Sequence, residues 1–230
     1  MVRCSLFVEP QTGTCTTNNE RRTRMKGNLI IISSPSGGGK GTLIREVLEM
    51  APHVGYSVSL TTRAPRFGEE NGKHYHFVSI EEFEAYKEKG GFLEFAEVHG
   101  NFYGTSLEQT RRMTDAGTDV ILEIDVQGAA TILDKMPEAV SIFILPPSYE
   151  VLRARLTARA TEGMEDLELR LRNALGEVMQ FSRFAYVVIN DEIATAARKL
   201  TAIILAERQR PHRQGEVIQG ILGSFERAKL

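Results

Sequence analysis

The chain has 230 residues, 42% hydrophobic and 25% charged, with a formal net charge of −2 and a pI near 6.3. That is globular composition, long enough for a substantial core, and it carries no global basic field for nucleic acid or an anionic membrane. No stretch nears the ~18 consecutive apolar residues of a membrane span, and the two cysteines, Cys4 and Cys15, fit neither a zinc motif nor a disulfide framework, so a soluble protein of a reducing, cytoplasmic compartment is expected.

Residues 1–27 are polar, rich in Thr, Asn and Arg, and show no hydrophobic period, so they are expected to be disordered. They lack the apolar core and cleavage site of a secretory signal. Met25 stands just before the first strand and is a candidate start of translation. From residue 28 the pattern changes, and short β-branched runs alternate with helical segments. The runs Leu29–Ser33, Val54–Ser59, Val120–Ile124, Ser141–Leu145 and Tyr186–Ile189 are nearly all apolar, the mark of parallel strands buried on both faces. An α/β fold with crossover helices follows. Between the second and third runs the texture differs. His74–Val78 alternates, Glu81–Lys89 is helical and Phe92–Val98 is strand-like, which predicts a small inserted α+β lobe over 59–106. Ser79 with Glu82 and Ser106 with Gln109 have capping-box spacing, and Ser148 after Pro146 and Pro147 is an N-cap for an Arg-rich helix. A long helix ends near Pro211, and 211–230 form an extension with no functional reading.

The segment Ser33-Ser34-Pro35-Ser36-Gly37-Gly38-Gly39-Lys40-Gly41-Thr42 follows the first strand and opens a helix. Consecutive glycines let backbone N–H groups turn inward, and the helix N-terminus adds partial positive charge, so the context is that of a phosphate-binding loop. Lys40 is then the cation for the β- and γ-phosphates. Two positions depart from G-x-x-x-x-G-K-[ST]: Ser34 replaces the first Gly, and Gly41 replaces the metal-binding hydroxyl residue, leaving Thr42, waters and the nucleotide to hold the ion.

Ser59-Leu60-Thr61-Thr62-Arg63-Ala64-Pro65-Arg66-Phe67-Gly68-Glu69 is the most specific segment. It resembles the GMP-binding signature of guanylate kinases, S-x-T-T-R-x-P-R-x-G-E, at every fixed position. Gly72–Phe77, Phe92-Leu93-Glu94, Asn101–Ser106 and Leu122–Gly128 continue the likeness in order, and it spans about residues 28 to 208. The resemblance implies a P-loop kinase fold over 28–210, with a parallel core (28–58, 107–150 and 180–210), a GMP-binding lobe (59–106) and an Arg-bearing lid (151–179). It also implies transfer of the γ-phosphoryl group of ATP, with Mg²⁺, to GMP and dGMP. The loop residues Pro35 to Thr42 would bind ATP, with Asn190 beside the adenine.

The chemistry of the acceptor residues is coherent by itself. Arg63 and Arg66 fork onto phosphate oxygens, Tyr75 and Tyr103 donate hydrogen bonds, and Glu69 is placed to orient the arginines. By resemblance, Glu94 receives the guanine N1–H and amino group, with Ser59 and Thr105 near the other base edge. Val120–Asp125 has the form of an apolar strand ending in acids. It makes Asp125 a candidate for ribose or, through water, metal, with Thr42 the other metal candidate and Glu123 a further acceptor-side residue. Arg155, Arg159 and Arg170 match the lid arginines that close over the transferring group, whereas Arg153 and Arg172 read as surface residues. No His or Cys is a persuasive catalyst, and none is needed: the acceptor phosphate, with a second pKa of about 6, is already mostly anionic. Two rival readings stand beside this one. A kinase for another phosphorylated small molecule has no use for Glu94, Ser59 and Thr105; a scaffold module that binds phosphopeptides has little need of Lys40, the glycine loop or the lid arginines.

Overall fold

The computed structural model describes residues 26–98, 100–159 and 164–228. The expectations for the tail up to Met25 lie outside the described residues, as do residues 160–163 of the expected lid. The strands are β1 (Leu29–Ser33), β2 (Val54–Tyr56), β3 (Leu60–Thr61), β4 (His76–Phe77), β5 (Phe92–Val98), β6 (Asn101–Ser106), β7 (Asp119–Glu123), β8 (Val140–Leu145) and β9 (Tyr186–Ile189). The helices are α1 (Lys40–Met50), α2 (Ile80–Glu88), α3 (Leu107–Asp115), α4 (Val126–Lys135), α5 (Tyr149–Arg159), α6 (Met164–Val178), α7 (Ile193–Glu207) and α8 (Gly215–Ala228).

Five strands form a parallel sheet in the order β2-β7-β1-β8-β9, with β1 at its centre. Because side chains alternate along a strand, β1 feeds two cores. Ile30 and Ile32 pack with Leu43, Val47, Leu200 and Ile204 of α1 and α7 on one face. Leu29 and Ile31 pack with Ala129 and Ile132 of α4 and with Leu107 and Met113 of α3 on the other. Ile30, Ile31 and Ile32 are wholly buried, each worth about 1.5–3 kcal/mol relative to exposure. The unbroken apolar run is thus a consequence of helices on both sides.

The inserted lobe is a four-stranded sheet in the order β4-β3-β6-β5, closed by the antiparallel β5–β6 pair. Phe83 of α2 fills its core, stacked on Phe92 at 4.5 Å and Phe102 at 5.4 Å. The Ser79–Glu82 capping box is complete, while Ser106 caps α3 through the Gln109 N–H alone. A separate small cluster of Leu152, Leu156 and Ala174 joins α5 to α6.

Three expectations change. The run Val54–Ser59 is not one strand: β2 stops at Tyr56, and the chain crosses to the second sheet, where β3 begins at Leu60. The crossing is polar and buried, with Ser57 N–H donating to Ile121 O at 3.0 Å. Lys26 and Gly27 belong to the fold and not to a tail, since Gly27 N–H donates to Thr114 O at 2.8 Å. The long helix ends at Glu207, and the extension forms a second helix, α8, with no buried residue. No helix among the described residues is long and apolar enough to cross a membrane.

Candidate active site

The phosphate loop hangs between the end of β1 and the start of α1. Gly39 is the N-cap of α1 with φ +88°, a left-handed conformation that favours glycine, and a Cβ there would collide with Asn190 Nδ2. Asn190 follows β9 and is only 2% exposed. Its side-chain amide donates to Gly38 O at 2.8 Å, its backbone N–H donates to Leu145 O at 2.7 Å, and its carbonyl accepts Arg155 Nη2–H at 3.0 Å. Asn190, expected beside the adenine, also buttresses the loop, in contact with Gly38 and with Arg155. Lys40 Nζ donates to Ile124 O at 3.2 Å, laying the ammonium across the exit of β7. At Gly41 a Cβ would sit 3.8 Å from both carboxylate oxygens of Glu123.

Next to Lys40 is a pocket of about 210 Å³ whose lining includes Ser59, Tyr75, Glu94, Tyr103, Glu123 and Asp125. Glu94 on β5 faces Thr105 on β6 across an irregularity in the strand register, and Thr105 Oγ1–H donates to Glu94 Oε1 at 2.6 Å. Gly128 allows the other oxygen to approach α4, since a Cβ there would stand 2.8 Å from Glu94 Oε2. Burial, with the nearby Asp125 charge, pushes the Glu94 carboxyl up to about 6 against the opposing Thr105 hydrogen bond. At neutral pH it is still mostly ionised, an acceptor-only group at the end of a small pocket. Asp125 caps α4, its Oδ1 accepting Gly128 N–H at 2.8 Å.

On the outer side of the pocket, Glu69 holds both arginines of the signature segment. Its two oxygens lie 2.9 Å from Arg63 Nη2, and Oε2 accepts Arg66 N–H at 2.7 Å. Burial opposes ionisation here, yet these bonds hold the Glu69 carboxyl below its usual range. The Arg63 guanidinium lies 5.4 Å from the Tyr75 ring centre, and Tyr75 meets Tyr103 edge-on at 5.9 Å. Burial, then the Glu123 carboxylate, pushes the Tyr75 hydroxyl up to about 12, so it remains a donor. The Arg63 guanidinium and the rings of Tyr75 and Tyr103 thus gather beside the pocket that Glu94 also lines.

Residues 26–207 match the sequence family described as guanylate kinase. The chain belongs to that family. It is 51% identical over 197 residues to the guanylate kinase of Neisseria meningitidis serogroup A, covering 86% of this chain and 96% of the relative. It is 44% identical over 195 residues to that of Geobacter metallireducens, covering 85% and 96%. The crystal structure of guanylate kinase from Anaplasma phagocytophilum superposes with a TM-score of 0.70 at 36% identity, covering 84% of this chain and 92% of that one. The α8 extension lies beyond the matched residues.

The fold brings Lys40, Ser59, Tyr75, Glu94, Tyr103, Glu123 and Asp125 around one pocket, with Thr105 and the Arg63–Glu69 pair against it. Arg155 is carried by α5 to the loop, where Nη1 would lie 3.8 Å from a Cβ on Gly39. Arg170 is half-buried on α6, and Arg153 and Arg172 are exposed. Arg159 ends α5, and its side chain lies outside the described residues. Arg66 is exposed, tied in through its backbone. Two contacts have no counterpart in the sequence reading. Tyr56 donates to Glu123 Oε2 at 3.3 Å, its hydroxyl kept protonated by burial and then by that charge. Glu177 of α6 accepts Ser36 N–H at 2.8 Å. A tyrosine in a strand and a glutamate in a charged helix carry no local signal of either contact.

Proposed function

We propose that the chain transfers the γ-phosphoryl group of ATP to GMP, and to dGMP, giving ADP and the corresponding diphosphate. The observation that carries this reading is a buried carboxylate, Glu94, in a pocket that the phosphate-loop lysine also lines. An ionised carboxylate offers acceptors alone, which suits the adjacent N1–H and amino donors of guanine. Adenine presents an acceptor at ring N1, and a buried mismatch of that kind costs about 1–3 kcal/mol.

The acceptor phosphate sits with Arg63 and Arg66, held by Glu69, and receives hydrogen bonds from Tyr75 and Tyr103. Its oxygen needs no general base, because its second pKa is about 6. Lys40 and the loop N–H groups within Pro35–Thr42 take the β- and γ-phosphates, proline supplying only its carbonyl and ring and Ser36 its hydroxyl, since the Ser36 N–H goes to Glu177. Arg155, Arg159 and Arg170 close from the lid and offset the charge that spreads over the transferring group. In-line positioning supplies the rest of the acceleration.

Among the described residues no cluster of three or more His, Cys, Asp or Glu is set to hold a metal. That fits Mg²⁺, which keeps waters and binds through one or two carboxylates plus phosphates. Thr42 and Glu123 flank Gly41 and would hold it, and Asp125, one oxygen committed to its helix cap, is left to act through water. Bound Mg²⁺ supplies charge neutralisation on the β- and γ-oxygens. The partners on this reading are free nucleotides in the cytoplasm, with neither nucleic acid nor membrane.

The test is coupled ADP release with ATP and Mg²⁺, comparing GMP, dGMP, AMP, CMP and UMP. Release with GMP, weaker with dGMP and absent with the others, is expected. No release from a protein that still binds GMP would replace this reading by the binding-module one.

A further inference from the structure

The lid helices touch the phosphate loop at two adjacent residues. Leu152 and Leu156 of α5 press on Gly37, where a Cβ would stand 2.9 Å from Leu156 Cδ2 and 3.1 Å from Leu152 Cδ1. Ala174 of α6 is wholly buried against the same two leucines. One residue earlier in the loop, Glu177 of α6 accepts Ser36 N–H at 2.8 Å across 141 residues of sequence. At about 3.6 residues per turn, Arg170, Ala174 and Glu177 share one stripe of α6, with Arg170 about two turns before Glu177. The helix is thus seated on the loop by packing at Ala174 and hooked to it at Glu177, and the same stripe carries a lid arginine.

We propose that Glu177 is a positioning residue that clasps the lid helix to the phosphate loop at Ser36 and thereby sets where Arg170 stands during transfer. The inference rests on the kinase reading above. A hydrogen bond from an N–H to a carboxylate is charge-assisted and roughly twice as strong as a neutral one. Ser36 lies in a loop of inward-turning N–H groups beside a helix N-terminus, which favours an anionic partner whether a phosphate or a carboxylate. The apolar seat at Leu152, Leu156 and Ala174 is small and non-directional, so it brings α6 near the loop without fixing its rotation. The Glu177–Ser36 bond supplies that direction. A displacement of ~1 Å at a group that stabilises the transition state costs as much as 10²-fold in rate.

Steady-state kinetics in ATP and GMP on wild type, Glu177→Ala and Glu177→Gln, with amide exchange of Ser36 in the nucleotide-free proteins, test the clasp. Glu177→Ala should lower kcat about 10-fold or more, change the KM for GMP less than about twofold, and speed exchange at Ser36. Glu177→Gln should recover at least about a third of wild-type kcat, because its amide oxygen accepts from the same N–H. A kcat for Glu177→Ala within about twofold of an active wild type overturns the proposal, as does an undiminished kcat with a lower KM for ATP, which would make the carboxylate a mere competitor of phosphate. Equal loss in both variants also overturns it, since a hydrogen-bond clasp tolerates glutamine. An inactive wild type would instead remove the kinase reading, while Ser36 exchange still reports whether the clasp exists.

Discussion

Glu94→Gln should make the nucleotide-free protein more stable at neutral pH and at the same time a poorer judge of guanine. Burial first, and the Asp125 charge second, raise the Glu94 carboxyl from 4.5 to about 6. Folding therefore penalises the ionised form, by about 2 kcal/mol at ~1.4 kcal/mol per tenfold. Below pH about 4.5 the carboxyl is protonated in folded and unfolded chains alike, and no penalty exists. As pH rises the unfolded chain ionises first, so the stability contributed by the neutral group is lost progressively and is gone above pH about 6. Glutamine carries none of this penalty, keeps an oxygen for Thr105 Oγ1–H, and turns its amide toward Asp125. In a chain of this length 1 kcal/mol moves Tm by about 2–4 °C, so Tm should rise by about 4–8 °C at pH 7.5 and by almost nothing at pH 4.5. Calorimetric melting at both pH values, with and without GMP, reads the effect. GMP should stabilise the wild type far more than the variant. An equal Tm change at the two pH values, or a fall at pH 7.5, would refute the reasoning.

Lys40→Ala should abolish turnover and leave GMP affinity within a few-fold by calorimetry, because Lys40 borders the acceptor pocket but is assigned to the donor phosphates; near-normal turnover would remove the loop assignment. Asp119→Ala addresses the other end of the sheet. There the buried Asp119 carboxylate accepts Asn28 N–H and Arg208 Nε–H, each at 2.6 Å. Removing it leaves those donors unpaired, and denaturant unfolding should show a loss of about 3–5 kcal/mol. The KM for GMP of the folded fraction should not change.

The parallel strands were legible because burial on both faces leaves an unbroken apolar run; β1 and β9 have the expected bounds, and β7 and β8 each begin one residue earlier. What the pattern could not show was where a run changes sheets. Val54–Ser59 reads as one strand, yet Ser57 marks the crossing that delivers Ser59 to the pocket. Asn101–Ser106 carries the signature motif without a strand signal, because it is polar or small at most positions although none of its residues is exposed in β6. Glu69 was legible as the residue that holds the arginine pair, six and three positions away in a tight turn. The Thr105–Glu94 bond needed the register of β5 on β6. Resemblance placed Asn190 beside the adenine, but its bond to Gly38 and that of Glu177 to Ser36 were beyond reach, since the partners lie 152 and 141 residues away, and a Glu in a charged helix suggests only solvent.

The strand order explains why those distant residues meet. Every strand of the main sheet is parallel, so all their carboxyl ends emerge on one edge, and ligands bind in the crevice outside it. β1 is central, which puts the phosphate loop between the exits of β7 and β8. The β7 side supplies Glu123 and Asp125 and faces the inserted lobe with Glu94. The β8 side leads through Ser148 into α5 and Arg155. On the proposed reading the acceptor lies on one side of the migrating group and the arginines of α5 and α6 on another, an arrangement this strand order allows around a single loop. Asn190 belongs to the arrangement because β9 is paired to β8. Its backbone N–H is held by Leu145 while its side chain holds Gly38 and its backbone carbonyl holds Arg155, so one residue ties the phosphate loop and Arg155 to the same strand end.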